Sequence, residues 1–249
     1  MKERRLLRPT RATFALLALV VAASALPLRA QFWAKQTYEN WSRRDCEKML
    51  NDSPWAKSRI VGRVFIQRAE EQAAVPGREQ SPQIAYVVRL LSARTVRQAM
   101  VRVVRLDRSY AKLTPEEKQE LDARHKSLLE RSFADRIVFQ IEYTTNALAY
   151  RSELVSHWQS RSEEELKQEI YLITPRGRIP AARVFVAGGA GGEIQVIFSR
   201  MADGHPVIQL TDKTFALEFQ HPTVGVLAAE RVFIEFKVKN MLVKNELIF

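Results

Sequence analysis

The chain has 249 residues, of which 46% are hydrophobic, and its formal net charge is +11. This apolar share excludes an intrinsically disordered chain, because it is enough to build a packed core. The presence of only one cysteine, Cys46, excludes an internal disulfide and any zinc site made from several cysteines.

The amino terminus has the three parts of a secretory signal peptide. A positively charged leader precedes an apolar run at 14–23, and small residues at 23–25 and at 30 offer two alternative cleavage points. The other interpretation is a retained membrane anchor, which needs roughly 20 apolar residues. The run 14–28 is shorter and contains Pro27. We therefore predict an exported protein, periplasmic or secreted, tethered to the inner membrane only if the signal stays uncleaved.

Removal of the predicted signal peptide, residues 1–30, takes away six cations and one anion, which leaves a net charge near +6. The remaining residues, 31–249, are enough for one large domain or two small ones. No long linker divides them. We therefore predict one domain after the signal peptide.

The first predicted element of this domain is a short helix capped by Ser42. Asp45 stands at the capping-box position, and Trp41 and Cys46 occupy the two positions of a hydrophobic staple. The helix is expected to run to about Leu50. Because Cys46 shares its apolar side, we predict a core residue rather than a reactive thiol.

Strands are predicted at 59–68 and 83–91, separated by a loop, and again at 136–144, because apolar and other residues alternate there. Between them the period changes to that of helices. Ser92 can cap a helix that runs to about Arg108, and Thr114 opens a second one in capping-box form. These two helices predict a helical hairpin, at about 92–133, inserted between the strands at 83–91 and 136–144.

A third helix is predicted at 146–159, and Ser162 caps one further turn. From Glu169 onward, short runs alternate with turn residues, which is typical of antiparallel strands. The predicted strands are 169–174, 178–187, 193–200, 206–210, 214–220, 230–239 and 241–249. We therefore predict a mainly β fold, an antiparallel Ig-like β-sandwich with an N-terminal helix and an inserted helical hairpin. The candidate core residues are Trp41, Trp55, Phe65, Tyr86, Phe139, Tyr143, Phe198 and Phe219.

The most suggestive surface feature is a set of arginines on one side of the predicted helix at 92–108. They are Arg94, Arg97, Arg102, Arg105 and Arg108. Such a face could meet anionic lipids or acidic glycans. Nucleic acid is not expected, because the protein is exported and no aromatic residues alternate with the arginines. The alternative is a solvated helix face, partly paired with the acidic helix at 116–130.

No motif of catalysis or metal binding is present. The glycines at 188–192 precede a strand rather than the helix of a phosphate loop, so they predict a hairpin tip. The histidines His125, His157, His205 and His221 form no close HxH or HxxxH pair. We therefore predict no catalytic residue, no metal site and no cofactor.

Residues 41–56 read W-S-R-R-D-C-E-K-M-L-N-D-S-P-W-A, and residues 236–243 read F-K-V-K-N-M-L-V. These segments resemble the two ends of a family of exported soil-bacterial proteins that has no assigned activity. The resemblance implies export and transfers no catalytic residue.

The leading prediction is an exported, non-enzymatic binding or scaffold domain of the cell envelope, with an envelope protein or an anionic surface as its partner. One alternative is an envelope hydrolase whose site is assembled from distant residues: His157, His205, His221, Asp203 and Asp212. Another is a peripheral membrane-associated protein that uses the arginine face. The sequence predicts no particular oligomeric state.

Overall fold

The computed structural model describes residues 32–62, 82–188, 192–243, 246–247 and 249. The predicted signal peptide and the candidate core residue Phe65 lie outside these ranges. The described residues up to Thr37 belong to one compact unit, and those from Tyr38 to Phe249 belong to a second. Among its described residues, the first unit has one helical turn, α1 (Phe32–Lys35).

Helix α2 (Arg43–Asn51) begins at the predicted capping box. The amide of Asp45 donates to Ser42 Oγ at 3.2 Å, and the Asp45 carboxylate accepts from the Ser42 amide at 3.0 Å. Trp41 and Cys46 are both buried, and burial raises the pKa of the Cys46 thiol to about 11. The prediction that Cys46 is a core residue is confirmed.

One antiparallel sheet has five strands in the order β1-β2-β3-β7-β6. Their bounds are β1 Ala56–Val61, β2 Ile84–Leu90, β3 Arg136–Thr145, β6 Arg183–Val186 and β7 Gly192–Ser199. The pairing of β6 with β7 confirms the predicted hairpin, although its tip at 189–191 is not described. Only the first part of the strand predicted at 59–68 falls within the described residues.

The second antiparallel sheet has four strands in the order β11-β10-β4-β5. Their bounds are β4 Tyr171–Thr174, β5 Gly177–Pro180, β10 Thr214–His221 and β11 Glu230–Lys237. The described residues also form two short strand pairs: β8 (Met201–Ala202) with β9 (His205–Pro206), and β12 (Leu242–Val243) with β13 (Glu246–Leu247). The strand predicted at 206–210 is therefore mostly not a strand.

The strand predicted at 178–187 is two strands that belong to different sheets. Strand β5 ends at Pro180, which has no amide hydrogen for a further sheet bond. The next two amides then bond in different directions: Ala181 N donates to Ile170 O at 3.2 Å, and Ala182 N donates to Ile197 O at 2.8 Å. The chain crosses from one sheet to the other at this point.

Helices α3 (Arg94–Asp107) and α4 (Pro115–Glu130) lie in the chain between β2 and β3, which are neighbours in the sheet. Thr114 caps α4 with the predicted capping box. The prediction that Ser92 caps α3 is wrong, because the N-cap residue of this helix is Ala93. The Ser92 hydroxyl instead accepts from the amide of Val138 at 3.3 Å, so β3 takes the side chain away from the helix. Two further helices follow, α5 (Leu148–Ser160) and α6 (Glu163–Lys167).

Aromatic side chains of the two sheets contact each other. The ring centroids of Tyr86 on β2 and Phe219 on β10 are 5.0 Å apart, and those of Phe139 on β3 and Phe236 on β11 are 5.8 Å apart. All candidate core residues that the structure describes are buried. The fold is mixed: antiparallel sheets of five and four strands, with six helices among the described residues.

Candidate anion-binding cleft

The five predicted arginines of helix α3 do not form one solvated face. Arg94 and Arg108 are exposed. Arg102 and Arg105 are half-buried, and only 4% of the Arg97 surface is exposed. Three of the five therefore face other parts of the protein.

Arg105 and Arg102 are both bound by other groups of the protein, and these contacts account for their partial burial. The Arg105 guanidinium forms an ion pair with Asp122 of α4 at 2.7 Å and lies 4.8 Å above the ring of Tyr110. The Tyr110 hydroxyl donates to the same carboxylate at 2.6 Å. Arg102 Nε donates to the backbone oxygen of Trp41 at 2.9 Å. These contacts match the predicted pairing with the acidic helix and join α3 to its neighbours.

Arg97, in contrast, has no carboxylate partner among the described residues. Its Nη1 donates to Leu91 O and Ser92 O, both at 2.7 Å, and its Nη2 donates to Arg131 O at 3.3 Å. The guanidinium lies 4.6 Å from the centre of the Phe133 ring. Its Nε is buried and has no hydrogen-bond partner in the described part of the chain.

Arg97 nevertheless remains a cation at neutral pH. Burial lowers its pKa to about 10, and the positive charges of Arg94 and Arg131 act in the same direction. This value still lies well above neutral pH. The backbone oxygens around Arg97 supply dipoles but no negative charge, so its charge is not neutralised.

Arg97 lines a surface cleft of about 480 Å³ together with Arg131 and Arg136. Arg131 follows the end of α4, and Arg136 is the first residue of β3. Arg136 pairs with Asp135 at 2.7 Å, whereas Arg131 has no ion pair within the described ranges. We call this site the arginine cleft; its apolar lining residues are Leu91, Leu128, Phe133, Val138, Phe185 and Ile197.

Sequence reasoning identified Arg97 and missed the other residues of the arginine cleft. Arg131 and Phe133 follow a helix and carry no motif. Phe185 lies on β6, far along the chain, and comes to the cleft only because β6 pairs with β7. The available signal was the concentration of arginines near both ends of the helical hairpin.

A second cleft, of about 560 Å³, lies beside Tyr143 and is lined by Glu142, Arg151 and Glu193 among others. Glu142 forms an ion pair with Arg89, and Glu193 accepts a bond from a neighbouring glutamine at 3.2 Å. Its lining carries both signs of charge, and each of these carboxylates already accepts a bond from a protein group.

The residues of the hydrolase hypothesis are divided between the two ends of strand β10: His157 lies near enough to His221 to influence its pKa, whereas Asp212 lies at the opposite end from His221. Asp212 precedes β10 and His221 ends it, and a strand of eight residues spans about 26 Å. Asp212 is bound by Arg176, at 2.9 Å to one of its oxygens. Asp203 and His205 lie in the exposed β8–β9 hairpin. This arrangement gives the hydrolase hypothesis no support.

His221 lies in the aromatic core. It is fully buried, and its Nδ1 is 2.8 Å from the hydroxyl of Tyr86. Burial lowers the pKa of His221 to about 4, with a smaller contribution from His157, so the ring is neutral at pH 7. This hydrogen bond connects the two sheets, since Tyr86 belongs to β2.

In the described part of the chain, no group of three or more His, Cys, Asp or Glu side chains could hold a metal ion. None of the helices described here has the length and apolar character needed to cross a membrane. Comparison with protein-family models, with curated proteins and with solved structures finds no match to this chain.

Proposed function

We propose that this chain is an exported, non-enzymatic binding domain of the cell envelope that takes an anionic partner in the arginine cleft. The observation that carries the proposal is Arg97: a buried cation, without a carboxylate partner in the described residues, that lines a cleft with two further arginines. A volume of about 480 Å³ lies within the range of small-ligand sites.

The electrostatics support an anionic partner. A buried charge without a counter-ion is unfavourable, and an anion of the ligand would supply what the protein lacks. Guanidinium groups bind carboxylate and phosphate oxygens through charge-assisted, often bidentate hydrogen bonds. The backbone bonds of Arg97 hold its guanidinium in place before the ligand arrives, which lowers the entropy lost on binding.

The test is a comparison of what the protein retains from native envelope extract. The chain without residues 1–30 and its Arg131→Gln/Arg136→Gln variant are incubated with the extract and re-purified, and bound molecules are identified by native mass spectrometry. We expect anionic molecules on the unmodified protein that are reduced at least about tenfold on the variant, because two charge-assisted bonds are lost.

Arg108→Gln is the matched control, because Arg108 is an exposed arginine of α3 that does not line the cleft. This variant is expected to retain the same molecules as the unmodified protein. Equal retention by all three proteins, or no anionic molecule on any of them, would contradict the proposal.

Location in the envelope rests on the signal-like amino terminus and on the resemblance of residues 41–56 to an exported family. Amino-terminal sequencing of the exported protein tests it, with a new terminus at residue 26 or 31 as the expected result. The uncleaved chain would instead support an inner-membrane tether.

Peripheral attachment through the arginine face has weaker support. Of the five arginines, only Arg94 and Arg108 are exposed, and the other three are engaged by protein groups. Co-sedimentation with anionic vesicles that falls on Arg108→Gln substitution would favour this alternative over the cleft.

We also propose that the two sheets pack as an Ig-like β-sandwich. Support comes from the contacts of Tyr86 with Phe219 and of Phe139 with Phe236 across the sheets. The strand order β1-β2-β3-β7-β6 differs from that of immunoglobulin constant domains, so the likeness is one of architecture. An experimental structure with the two strand directions within about 30° of each other is the expected result.

A further inference from the structure

We infer that the ligand of the arginine cleft is an anionic amphiphile, an oxyanion headgroup joined to an apolar body. This inference rests on the proposed function and specifies its ligand. The cleft combines two kinds of surface: three guanidinium groups, and the apolar side chains of residues from six different elements or connections of the chain.

The charged part of the cleft fits a single oxyanion. Arg97 is nearly enclosed and fixed by backbone oxygens, while Arg131 and Arg136 are exposed at the surface. Only Arg136 has an acidic partner, so the three guanidinium groups carry more positive charge than Asp135 neutralises. Both Nη1 hydrogens of Arg97 are already used by Leu91 O and Ser92 O, so an oxyanion held by Arg131 and Arg136 would offset the charge of Arg97 mainly through space.

An inorganic anion would not cover the apolar side chains of the cleft. Phe185 is a large side chain that is 45% exposed on the edge strand β6. Phe133 is partly exposed, and its ring already lies against the Arg97 guanidinium. An apolar body beside these rings would remove them from water, which is favourable in proportion to the area covered. A hydrophilic anion would leave both rings exposed.

The test is a calorimetric titration of the chain that lacks residues 1–30. The four probes are inorganic phosphate and, each below its critical micellar concentration, dodecyl phosphate, dodecanoate and dodecyl maltoside. We expect both anionic amphiphiles to bind at least about tenfold more tightly than inorganic phosphate, since burial of two methylene groups is worth that factor. Both should also bind more tightly than the uncharged maltoside.

Two pairs of variants separate the two parts of the cleft. Phe185→Ser is expected to weaken dodecyl phosphate binding about tenfold and to leave inorganic phosphate binding unchanged. Its control is Phe233→Ser, because Phe233 is 51% exposed on β11 of the other sheet. Arg131→Gln should weaken both phosphates, and its control Arg108→Gln should weaken neither.

The outcomes distinguish this inference from the proposed function. Equal affinity for inorganic and dodecyl phosphate would overturn the amphiphile and leave the anionic site standing. Equal affinity for dodecyl maltoside and dodecyl phosphate would show an apolar site without charge recognition and overturn both. No binding of any anionic probe would also overturn both.

Discussion

Arg97 and His221 are two buried basic residues in different regions of the molecule, and at pH 7 one is charged and the other is neutral. Neither has an acidic partner among the described residues, and burial lowers the pKa of both. The pKa of Arg97 falls to about 10 and that of His221 to about 4, so at pH 7 only Arg97 is charged. The same physical effect therefore produces a cation in the cleft and a neutral ring in the core.

The surroundings match these two charge states. Arg97 is bound by three backbone oxygens and lies over an aromatic face, which suit a cation. His221 is hydrogen-bonded to the Tyr86 hydroxyl and packs edge-on against the Tyr86 ring, and its buried Nε2 has no partner among the described residues, so no group there stabilises an imidazolium. A buried base therefore marks a candidate ligand site only where it keeps its charge.

The largest expected effect is a loss of stability in mild acid, caused by His221. The pKa of His221 is about 4 in the folded state, against 6.5 for an unperturbed histidine, so the unfolded chain takes up the proton more readily between these values. The contribution of the neutral His221 to the free energy of unfolding is fully present above pH 6.5. It is lost as the pH falls towards 4, and the loss is on the order of 3 kcal/mol. His157, whose pKa is also lowered by burial, adds to this loss.

Urea unfolding at several pH values measures this loss. His221→Gln should flatten most of the pH dependence, because glutamine can still accept the Tyr86 bond but takes up no proton. The exposed His205 provides the control, and His205→Gln should keep the slope of the unmodified protein. If the pH dependence of the unfolding free energy persists in His221→Gln, the protonation of His221 is not its cause.

The second-largest effect is expected for Arg97→Ala, which should lower the free energy of unfolding by about 2 kcal/mol at pH 7. Leu91 O and Ser92 O lose their donor, and Phe133 loses the guanidinium above it. Denaturant unfolding measures this. A stability equal to that of the unmodified protein would mean that these contacts only balance the cost of burying the charge.

A smaller loss, about 1 kcal/mol, is expected for Tyr86→Phe, because the buried Nδ1 of His221 loses its hydrogen bond. The matched control is Tyr171→Phe, since the Tyr171 hydroxyl donates to Gln168 O at 2.8 Å in an exposed position. Chemical unfolding of both variants should show a change only for Tyr86. Similar losses in the two would indicate that burial of the bond is not what makes it stabilising.

The smallest effect is expected for Arg108→Gln, with a change within about 0.5 kcal/mol. Arg108 is exposed and shares with Arg97 only its place on the predicted arginine face. Thermal or urea unfolding beside Arg97→Ala gives the contrast between the two positions. A loss as large as that of Arg97→Ala would restore the single arginine face that the sequence predicts.

The sequence alone determined the elements whose signals are local. Helices α2 and α4 begin at the predicted serine and threonine, because a capping box needs only residues three positions apart. The alternating strands β2 and β3 and the burial of Cys46 also follow from periodicity. For the candidate site, the sequence supplied Arg97 as one of five arginines and gave no reason to prefer it.

Only the tertiary structure separated Arg97 from Arg105, although both lie on the same side of α3. Asp122 reaches Arg105 because α4 returns along α3, whereas the segment after α4 offers Arg97 a backbone oxygen and a phenylalanine ring. The apolar side of the cleft includes Phe185, which is distant in sequence from α3. It lies there because β6 pairs with β7 after the chain has crossed between the two sheets. Helical periodicity shows which side chains share a face, but the groups opposite that face come from distant residues, and they decide whether a charge is paired.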